Sequence, residues 1–193
     1  MPRQQLTRGD WIDAALDAIT RGGVAAVRVD VLAKELGVTR GSFYWHFTDR
    51  DALLAAALAE WERTVTDEII ERVGGIGSPG ERFDEIFRIA FFGPRSRNRV
   101  EPALAADADH PIVAPVLRRA TAARIAFLTD LYVDLGLDPA QARRRALITY
   151  STFVGWLQLR RSLPDVVPES TDESGSAEPF RAYLTGMFRP DVA

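Results

Sequence analysis

Hydrophobic residues recur at intervals of three and four along most of this chain, and this spacing predicts a protein built of α-helices. The first amphipathic stretch follows the capping-box pattern Thr7-x-x-Asp10 and ends at a pair of glycines. Its apolar face consists of Trp11, Ile12, Ala15, Leu16 and Ile19. A second stretch ends near Leu36, because Gly37 can adopt the positive φ that terminates a helix. Followed to the end of the chain, the pattern predicts an all-α protein of about nine helices.

The segment after Gly37 combines a buried face with an unusual polar face. Thr39 can cap a new helix with its hydroxyl group, and Phe43 and Phe47 lie four residues apart, where both can pack on the preceding helices. Three neighbouring aromatic residues cannot all face one core, because adjacent helical residues are turned by about 100°. The outward face therefore holds Arg40, Gly41, Ser42, Tyr44, Trp45 and His46. This arrangement is typical of the second helix of a helix-turn-helix, which enters the major groove of DNA.

The run from Gly37 to Leu54, GVTRGSFYWHFTDRDALL, is similar to a family motif. It resembles the pattern G-V-[ST]-x-[GA]-[ST]-[LF]-Y-x-[HY]-F-x-[SDN]-[KR]-[DE]-x-L-[LI] of TetR-type transcriptional repressors, and the similar region extends from about Thr7 to Leu58. The resemblance implies a three-helix, N-terminal helix-turn-helix domain over residues 1–50. It also implies a larger C-terminal helical bundle over residues 51–193 that binds a ligand and forms a dimer.

The resemblance assigns roles to individual residues. It implies that base edges are contacted by Thr39, Arg40, Gly41 and Ser42, and that phosphates are held by Tyr44, His46 and, from the next helix, Arg50. Trp45 stands at a position that the family leaves variable, so it is either a DNA contact or simply an exposed aromatic side chain. Arg28 replaces the Ser or Thr that usually caps the second helix, so either that cap is weaker here or the guanidinium contacts a phosphate instead.

Beyond residue 50 the pattern predicts longer helices with short connections. Thr48-x-x-Asp51 is a second capping box, and the helix that it opens should continue to about Val73. After the glycine-rich breaker cluster of residues 74–80, which we interpret as a linker, we expect helices over 81–92, 100–108, 110–136, 138–162 and 178–188. Residues 164–177 are acidic and rich in Ser and Pro, which indicates a mobile loop.

The stretch ALITYSTFVGWLQL, residues 146–159, is apolar nearly all round, which indicates a helix covered on two sides. One cover is its own domain, and the simplest second cover is another copy of the same chain, with Gly155 allowing close approach. Dimerisation through the last two helices is also what the resemblance implies. We expect the dimer contacts to include Phe153, Gly155, Leu159, Phe180, Leu184 and Met187.

Aromatic residues in the C-terminal bundle mark a possible ligand site. They lie on helices that line the inducer cavity of the repressors that this chain resembles, and Tyr150 and Trp156 can each orient a ligand by a hydrogen bond. The expected lining consists of Phe87, Phe91, Leu104, Phe127, Tyr150, Phe153 and Trp156. The alternative is that these side chains are ordinary core and that any cavity is small or filled.

Composition excludes several classes of function. The chain has no cysteine and only two histidines, far apart, so we expect no disulfide, no metal site and no cofactor. No paired carboxylates or nucleophile–base pair share a plausible site, so we expect no catalytic residue and no enzyme. No apolar run is long enough to span a membrane, and we expect a cytoplasmic protein. Of the net charge of −3, residues 1–50 carry +1, which suits a compact sequence-specific DNA motif.

These observations favour a homodimeric transcriptional regulator, most simply a repressor that binds a palindromic operator in double-stranded DNA and is released by a small, largely apolar inducer. A second hypothesis is a DNA-binding regulator without a small-molecule switch. A third is an all-α enzyme that shares only the helical layout.

Overall fold

The computed structural model describes residues 6–92, 100–167 and 177–190, and within these ranges all regular secondary structure is helical. The all-α prediction is confirmed. The helices are α1 (Arg8–Gly22), α2 (Val29–Glu35), α3 (Arg40–Phe43), α4 (Arg50–Glu62), α5 (Glu68–Gly74), α6 (Pro79–Phe92), α7 (Val100–Ala105), α8 (Val113–Asp134), α9 (Pro139–Ser162) and α10 (Ala177–Phe188). None of these described helices has the length and the hydropathy needed to cross a membrane.

The chain divides into two compact units. The reading unit comprises residues 1–64 and 103–119, and the body unit comprises residues 65–102 and 120–193. This division differs from the expected boundary at residue 50, because α4 packs on α1 and buries Leu53, Leu54 and Leu58 there. The reading unit also includes the residues that join α7 to α8, which the sequence pattern did not associate with it.

The reading unit has an aromatic core that holds the short helices together. Trp11 of α1 and Phe43 of α3 are fully buried, with their ring centroids 5.3 Å apart in an edge-to-face arrangement. Phe43 also stacks on Phe47 at 5.7 Å. Truncation of a buried Phe typically costs about 3–5 kcal/mol, so Phe43 anchors α3 firmly. The predicted core positions of Phe43 and Phe47 are confirmed.

The helix caps confirm some predictions and correct others. The predicted Thr7–Asp10 capping box is present, with the Asp10 N–H donating to Thr7 Oγ1 at 3.2 Å and the Thr7 N–H donating to Asp10 Oδ2 at 2.6 Å. Thr39 occupies the cap position of α3, but its hydroxyl makes no capping hydrogen bond with any described residue. The second predicted capping box is wrong by one residue, because the cap of α4 is Asp49, whose Oδ1 accepts from the Ala52 N–H at 2.7 Å.

The helix predicted to run to Val73 is continuous but irregular. Residues 63–67 between α4 and α5 form a π-helical turn. The Thr64 hydroxyl donates to the Glu60 carbonyl at 2.9 Å, and such hydrogen bonds from Thr side chains often bend a helix. Counting α4, this turn and α5 as one rod, the described residues form nine helical rods, as predicted.

Two predicted helix ends in the middle of the chain are wrong. α7 ends at Ala105 and not near residue 108, because residues 106–109 form turns. α8 begins at Val113 and not at His110, since the His110 carbonyl accepts the first hydrogen bonds, from Val113 N–H at 3.0 Å and Ala114 N–H at 2.9 Å. The start of α9 is as predicted, with Asp138 accepting from the Ala140 and Gln141 N–H groups. The predicted mobile loop 164–177 falls mainly outside the described residues.

Candidate nucleic-acid interface

The turn between α2 and α3 sets the direction of the predicted recognition helix. Gly37 has φ +68°, and the Val38 N–H donates to the Ala33 carbonyl at 2.9 Å, which closes the end of α2. α3 then presents Phe43 to the core, while turns continue the segment as far as His46. Because this geometry depends on glycine at one position and on a buried ring at another, the local sequence largely specifies it.

The outer side of this segment is strongly exposed. Trp45 is 88% exposed and Tyr44 is 55% exposed. Thr39, Arg40 and Gly41 are also exposed, whereas the side chains of Ser42 and His46 are partly buried. The Arg40 guanidinium lies 3.5 Å from the Tyr44 hydroxyl, at the limit of a hydrogen bond. The structure therefore brings Arg40 and Tyr44 together at the surface and leaves the neighbouring Trp45 ring exposed to solvent.

Arg50 is engaged with the protein itself. Its Nε donates to the Val27 carbonyl at 2.8 Å, its Nη2 donates to the Val24 carbonyl at 2.7 Å, and its Nη1 pairs with Asp51 at 3.0 Å. The predicted phosphate contact would have to share the guanidinium with these partners. Arg28 occupies the cap position of α2, where its side chain makes no capping hydrogen bond with a described residue but pairs with Asp30 at 3.0 Å, with both side chains exposed.

A second side chain also forms a hydrogen bond with the turn of residues 24–27, whose carbonyls accept from Arg50. Asp107, from the connection between α7 and α8, accepts the Val24 N–H on its Oδ2 at 2.8 Å. The residue before, Gly23, has φ +68° and ψ −167°, a conformation that is essentially restricted to glycine. No local sequence signal pointed to this contact, because the two partners are 83 positions apart.

One carboxylate near the recognition segment has a shifted titration. The pKa of Asp10 lies below its usual value, chiefly because the Thr7 N–H and hydroxyl donate to the carboxylate, with a smaller contribution from the charge of His46. Asp10 is not buried, so the shift reports the capping box and not a buried site.

In the body unit, the aromatic residues of the predicted ligand site lie in one hydrophobic cluster. Phe87, Phe91 and Tyr150 are buried there, and Phe127, Phe153 and Trp156 pack against them. Phe87 and Phe91 stack with centroids 5.4 Å apart, and Phe91 meets Phe153 edge to face at 5.8 Å. Leu104 is fully buried in the reading unit and lies outside this cluster, so its role in lining a ligand site stays a prediction.

A buried ionic network borders this cluster, and sequence reasoning missed it. The Glu101 carboxylate accepts from Arg124 Nη1 at 2.5 Å and from the Tyr150 hydroxyl at 2.6 Å. Arg124 Nε also donates to Thr66 Oγ1 at 3.0 Å, and the Tyr150 hydroxyl lies 3.2 Å from Thr121 Oγ1. The network thus joins the π-helical turn, α7, α8 and α9 within the body unit. A signal was present, because Arg124 interrupts the apolar stripe of α8 four residues after Ala120.

The network changes the acidity of its members. Burial raises the pKa of Tyr150 to about 12, and the negative charge of Glu101 acts in the same direction. Burial alone would lower the pKa of Arg124, but the negative charge of Glu101 and its hydrogen bond to the guanidinium outweigh it, so the net shift is upward. Both shifts favour one protonation state, in which a neutral phenol and a charged guanidinium both donate to the Glu101 carboxylate.

α9 and α10 present an apolar surface to solvent. Ile148 is 61% exposed and Met187 is 52% exposed, and Leu147, Leu159 and Tyr183 are exposed as well. A groove of about 560 Å³ lies on this surface and is lined by Leu137, Gln141, Arg144, Arg145, Ile148, Thr152, Met187 and Phe188. Gly155 has no other residue within 4 Å of the position that its Cβ would occupy.

The residues predicted for dimer contacts do not all lie on this surface. Gly155, Leu159 and Met187 are exposed. Leu184 is buried in the core of its own chain, which corrects its placement, because α10 packs against α6 there. Phe153 packs against the same core but is only partly buried, so its dimer contact stays a prediction. The side chain of Phe180 lies outside the part that the structure describes.

Comparison with known proteins identifies the reading unit. Residues 12–57 match the sequence family described as bacterial regulatory proteins, tetR family. These residues form a DNA-binding domain of the TetR family of transcriptional regulators. This match includes every residue that we predicted to contact DNA, from Arg28 to Arg50, and it includes none of the predicted ligand or dimer residues.

Individual TetR-family relatives are similar over different lengths. The regulator SrpR of Pseudomonas putida is 45% identical over 53 residues, which is 28% of this chain and 25% of SrpR, so the match spans only a quarter of that relative. A transcriptional regulator of known structure from Rhodococcus sp. Rha1 is 20% identical, with 95% of this chain and 94% of that one aligned and a TM-score of 0.73. AibR, solved in complex with isovaleryl coenzyme A and operator DNA, is 16% identical over 95% of this chain and 98% of its own, with a TM-score of 0.69. The structural likeness shows a shared fold for the whole chain.

Proposed function

We propose that this TetR-family protein is a homodimeric transcriptional repressor that binds a palindromic operator and leaves it when a small, largely apolar ligand binds the body unit. The observation that carries this proposal is that residues 39–47 have one set of side chains in the core and another set at the surface. Phe43 and Phe47 hold the segment to the core, while Arg40, Tyr44 and Trp45 face solvent. Such a cationic and aromatic surface beside a helix end suits a DNA groove, where side chains contact base edges and phosphates.

Dimerisation is supported by the apolar surface of α9 and α10. Exposed Ile148, Leu147 and Met187 form an apolar area of the kind that usually marks an interaction site. A second copy of the chain would cover it symmetrically, and two reading units would then contact two half-sites. Size-exclusion chromatography with light scattering is expected to give twice the chain mass. Ile148→Asp should give monomers, while Ser151→Asp, on the same helix and also exposed, is the matched control for the added charge.

Ligand control is supported by the aromatic cluster around Phe87, Phe91 and Phe153 and by the bordering polar group of Tyr150. The similar structure of AibR contains both isovaleryl coenzyme A and operator DNA. A ligand can shift the protein off DNA only as far as its affinities for the two states differ. If no compound releases the operator, the protein is a DNA-binding regulator without a small-molecule switch.

The experiment that tests the function is selection of bound sequences from a random duplex pool at a stated, near-physiological salt concentration. The expected result is a palindromic motif. Binding to it should weaken steeply with salt, because each phosphate contact releases counterions. Folded, helical protein that enriches no motif would overturn the proposal.

Point variants test which surface of the reading unit binds DNA. Arg40→Ala should abolish binding and leave the melting temperature unchanged, since within the described part of the chain Arg40 makes only a long hydrogen bond to Tyr44. Arg118→Ala removes the same charge from an exposed site on α8 and should bind normally.

Because Trp45 is the most exposed of the four tryptophans, bound operator should also protect its fluorescence from acrylamide quenching. An unchanged quenching constant would place DNA elsewhere.

A further inference from the structure

The groove on the surface of α9 and α10 is distinct from the ligand site of the proposed function. It lies entirely within the body unit, between the first half of α9, the last turn of α10 and the residue before the cap of α9. Its volume of about 560 Å³ is typical of small-molecule sites, which measure about 300–1,000 Å³. It shares no lining residue with the predicted ligand site among the aromatic side chains.

Half of the groove lining is apolar. The apolar side chains are those of Leu137, Ile148, Met187 and Phe188. Ile148 is 61% exposed and Met187 is 52% exposed, although removing such large apolar side chains from water is favourable. An apolar chain that lies in the groove would cover both side chains.

Two arginines give the groove a positive charge. Arg144 and Arg145 both line it, and none of the lining residues is acidic. Arg145 Nη1 donates to the Phe188 carbonyl at 3.2 Å, which holds this guanidinium at the groove. Arg144 is exposed, and no carboxylate among the described residues pairs with it. Asp138, the nearest acidic residue in the sequence, accepts two backbone N–H groups as the cap of α9. Because a guanidinium has five N–H donors, both arginines retain donors for an anion.

The spacing along α9 aligns the charged and apolar groups. The lining residues of this helix follow one another at intervals of one, three or four positions, so they share one face: Gln141, Arg144, Arg145, Ile148 and Thr152. At a rise of 1.5 Å per residue, this row is about 16 Å long. Ile148 follows Arg144 by one helical turn. A ligand that lies along the row therefore meets a guanidinium first and an apolar side chain one turn further on.

We propose that this groove binds an anionic amphiphile, which is a ligand with an anionic head group and an apolar chain. The Arg144 guanidinium pairs with the head group, and the chain covers Ile148 and Met187. A neutral apolar compound would leave the guanidinium without an anion, and a small anion would leave the apolar side chains exposed. Only a ligand that combines both groups matches the charge and the lining of the groove.

Occupation of the groove also affects the proposed dimer, and this part of the inference rests on the proposed function. Ile148 and Met187 belong both to the groove and to the apolar surface that a second copy of the chain would cover. The amphiphile and the second copy therefore compete for the same side chains. A ligand that binds only the monomer shifts the equilibrium towards it by mass action. Such a ligand would release the operator by separating the two reading units.

The first test is isothermal titration calorimetry of the full-length protein with sodium octanoate. We expect saturable binding of a single octanoate by each chain. Acetate has the head group alone and octanol has the chain without the charge, so each should bind about fivefold or more weakly than octanoate. Equal affinity for acetate or for octanol would overturn the inference, because the groove would then recognise only one of the two groups.

A pair of arginine variants tests where octanoate binds. Arg144→Ala should raise the Kd for octanoate about fivefold or more, because it removes the guanidinium that pairs with the carboxylate. Arg143→Ala is the matched control, since Arg143 is the neighbouring exposed arginine and does not line the groove. Its Kd should stay within about twofold of the wild type. Octanoate binding that is unchanged in Arg144→Ala overturns the inference, because the ligand would then lie elsewhere in the protein.

Light scattering tests the competition with the second copy. Octanoate should lower the mass of the wild-type protein from twice the chain mass towards the chain mass, and Arg144→Ala should require about fivefold more octanoate for the same change. A dimer that persists with octanoate bound overturns the competition. If the protein is already a monomer without octanoate, the proposed dimer fails instead. Calorimetry still tests the groove in that case, so the two failures are distinguishable.

Discussion

Replacing Glu101 with glutamine is expected to destabilise the body unit by about 3–5 kcal/mol. The carboxylate accepts from Arg124 and Tyr150, and the side chains of Arg124 and Glu101 are only 13% and 10% exposed. Glutamine has nearly the same shape but no charge, so the Arg124 guanidinium would remain buried without an anion. The loss would be a large part of the total, since domains of this size are stable by about 5–15 kcal/mol.

The control for Glu101→Gln is a double variant that removes both charges of the Glu101–Arg124 ion pair. In Glu101→Leu with Arg124→Leu, no charge remains buried, and the desolvation cost of the ion pair disappears with it. The Thr66 hydroxyl and the Tyr150 hydroxyl then each lose a partner, at about 1 kcal/mol each. We therefore expect the double variant to lose about 2 kcal/mol, less than either single charge removal.

Urea unfolding followed by circular dichroism at pH 7 measures these differences, with the slope m checked for each variant. A loss below about 1 kcal/mol for Glu101→Gln would show that the guanidinium is solvated and that the pair contributes little. Additive losses from the two sites would also refute the reasoning, because contacting charges must show an interaction energy.

Two further predictions concern stability. Because the pKa of Tyr150 is raised from 10.0 to about 12, the unfolded chain loses this phenolic proton first, and stability should fall as pH rises from about 10 to about 12, by up to about 2.7 kcal/mol. Unfolding free energies measured at pH 9, 10 and 11 should show this slope, and Tyr150→Phe should flatten it. Gly23→Ala should cost about 2–4 kcal/mol and Gly37→Ala about 1 kcal/mol, since both have φ +68° but only Gly23 also faces Asp107 at 2.7 Å. Equal losses in urea unfolding would show that the contact with Asp107 adds nothing.

The reading unit was predictable because its determinants are local. The capping box at Thr7, the glycine turn at Gly37 and the spacing of Phe43 and Phe47 each act within a few residues. Where the local signal was ambiguous, as at the N-terminal cap of α4, the predicted cap residue was wrong by one position. There two neighbouring residues, Thr48 and Asp49, can both accept a first-turn N–H, and the structure uses the second.

The body unit was predictable only in outline. Periodicity gives the apolar face of a helix but not which residues of different helices meet, so the pairing of Glu101 with Arg124 and Tyr150 required the tertiary structure. Periodicity also failed to separate the core from the exposed surface on α10. Leu184 and Met187 are both apolar and three residues apart, yet one is buried and the other exposed.

The identity of residue 50 changes what the recognition segment must supply. A lysine at this position, which the motif that the chain resembles also allows, carries its three donors on a single nitrogen and lacks the planar fork with which arginine reaches two separate carbonyls. Arg50 does hold two, at Val24 and Val27, and it pairs with Asp51 as well. We therefore expect Arg50→Lys to loosen the turn before α2 more than it alters charge at the DNA surface. Operator affinity should then fall together with stability, unlike in Arg40→Ala, where affinity should fall alone. A loss of affinity at unchanged stability in Arg50→Lys would show instead that the guanidinium leaves these carbonyls to contact a phosphate.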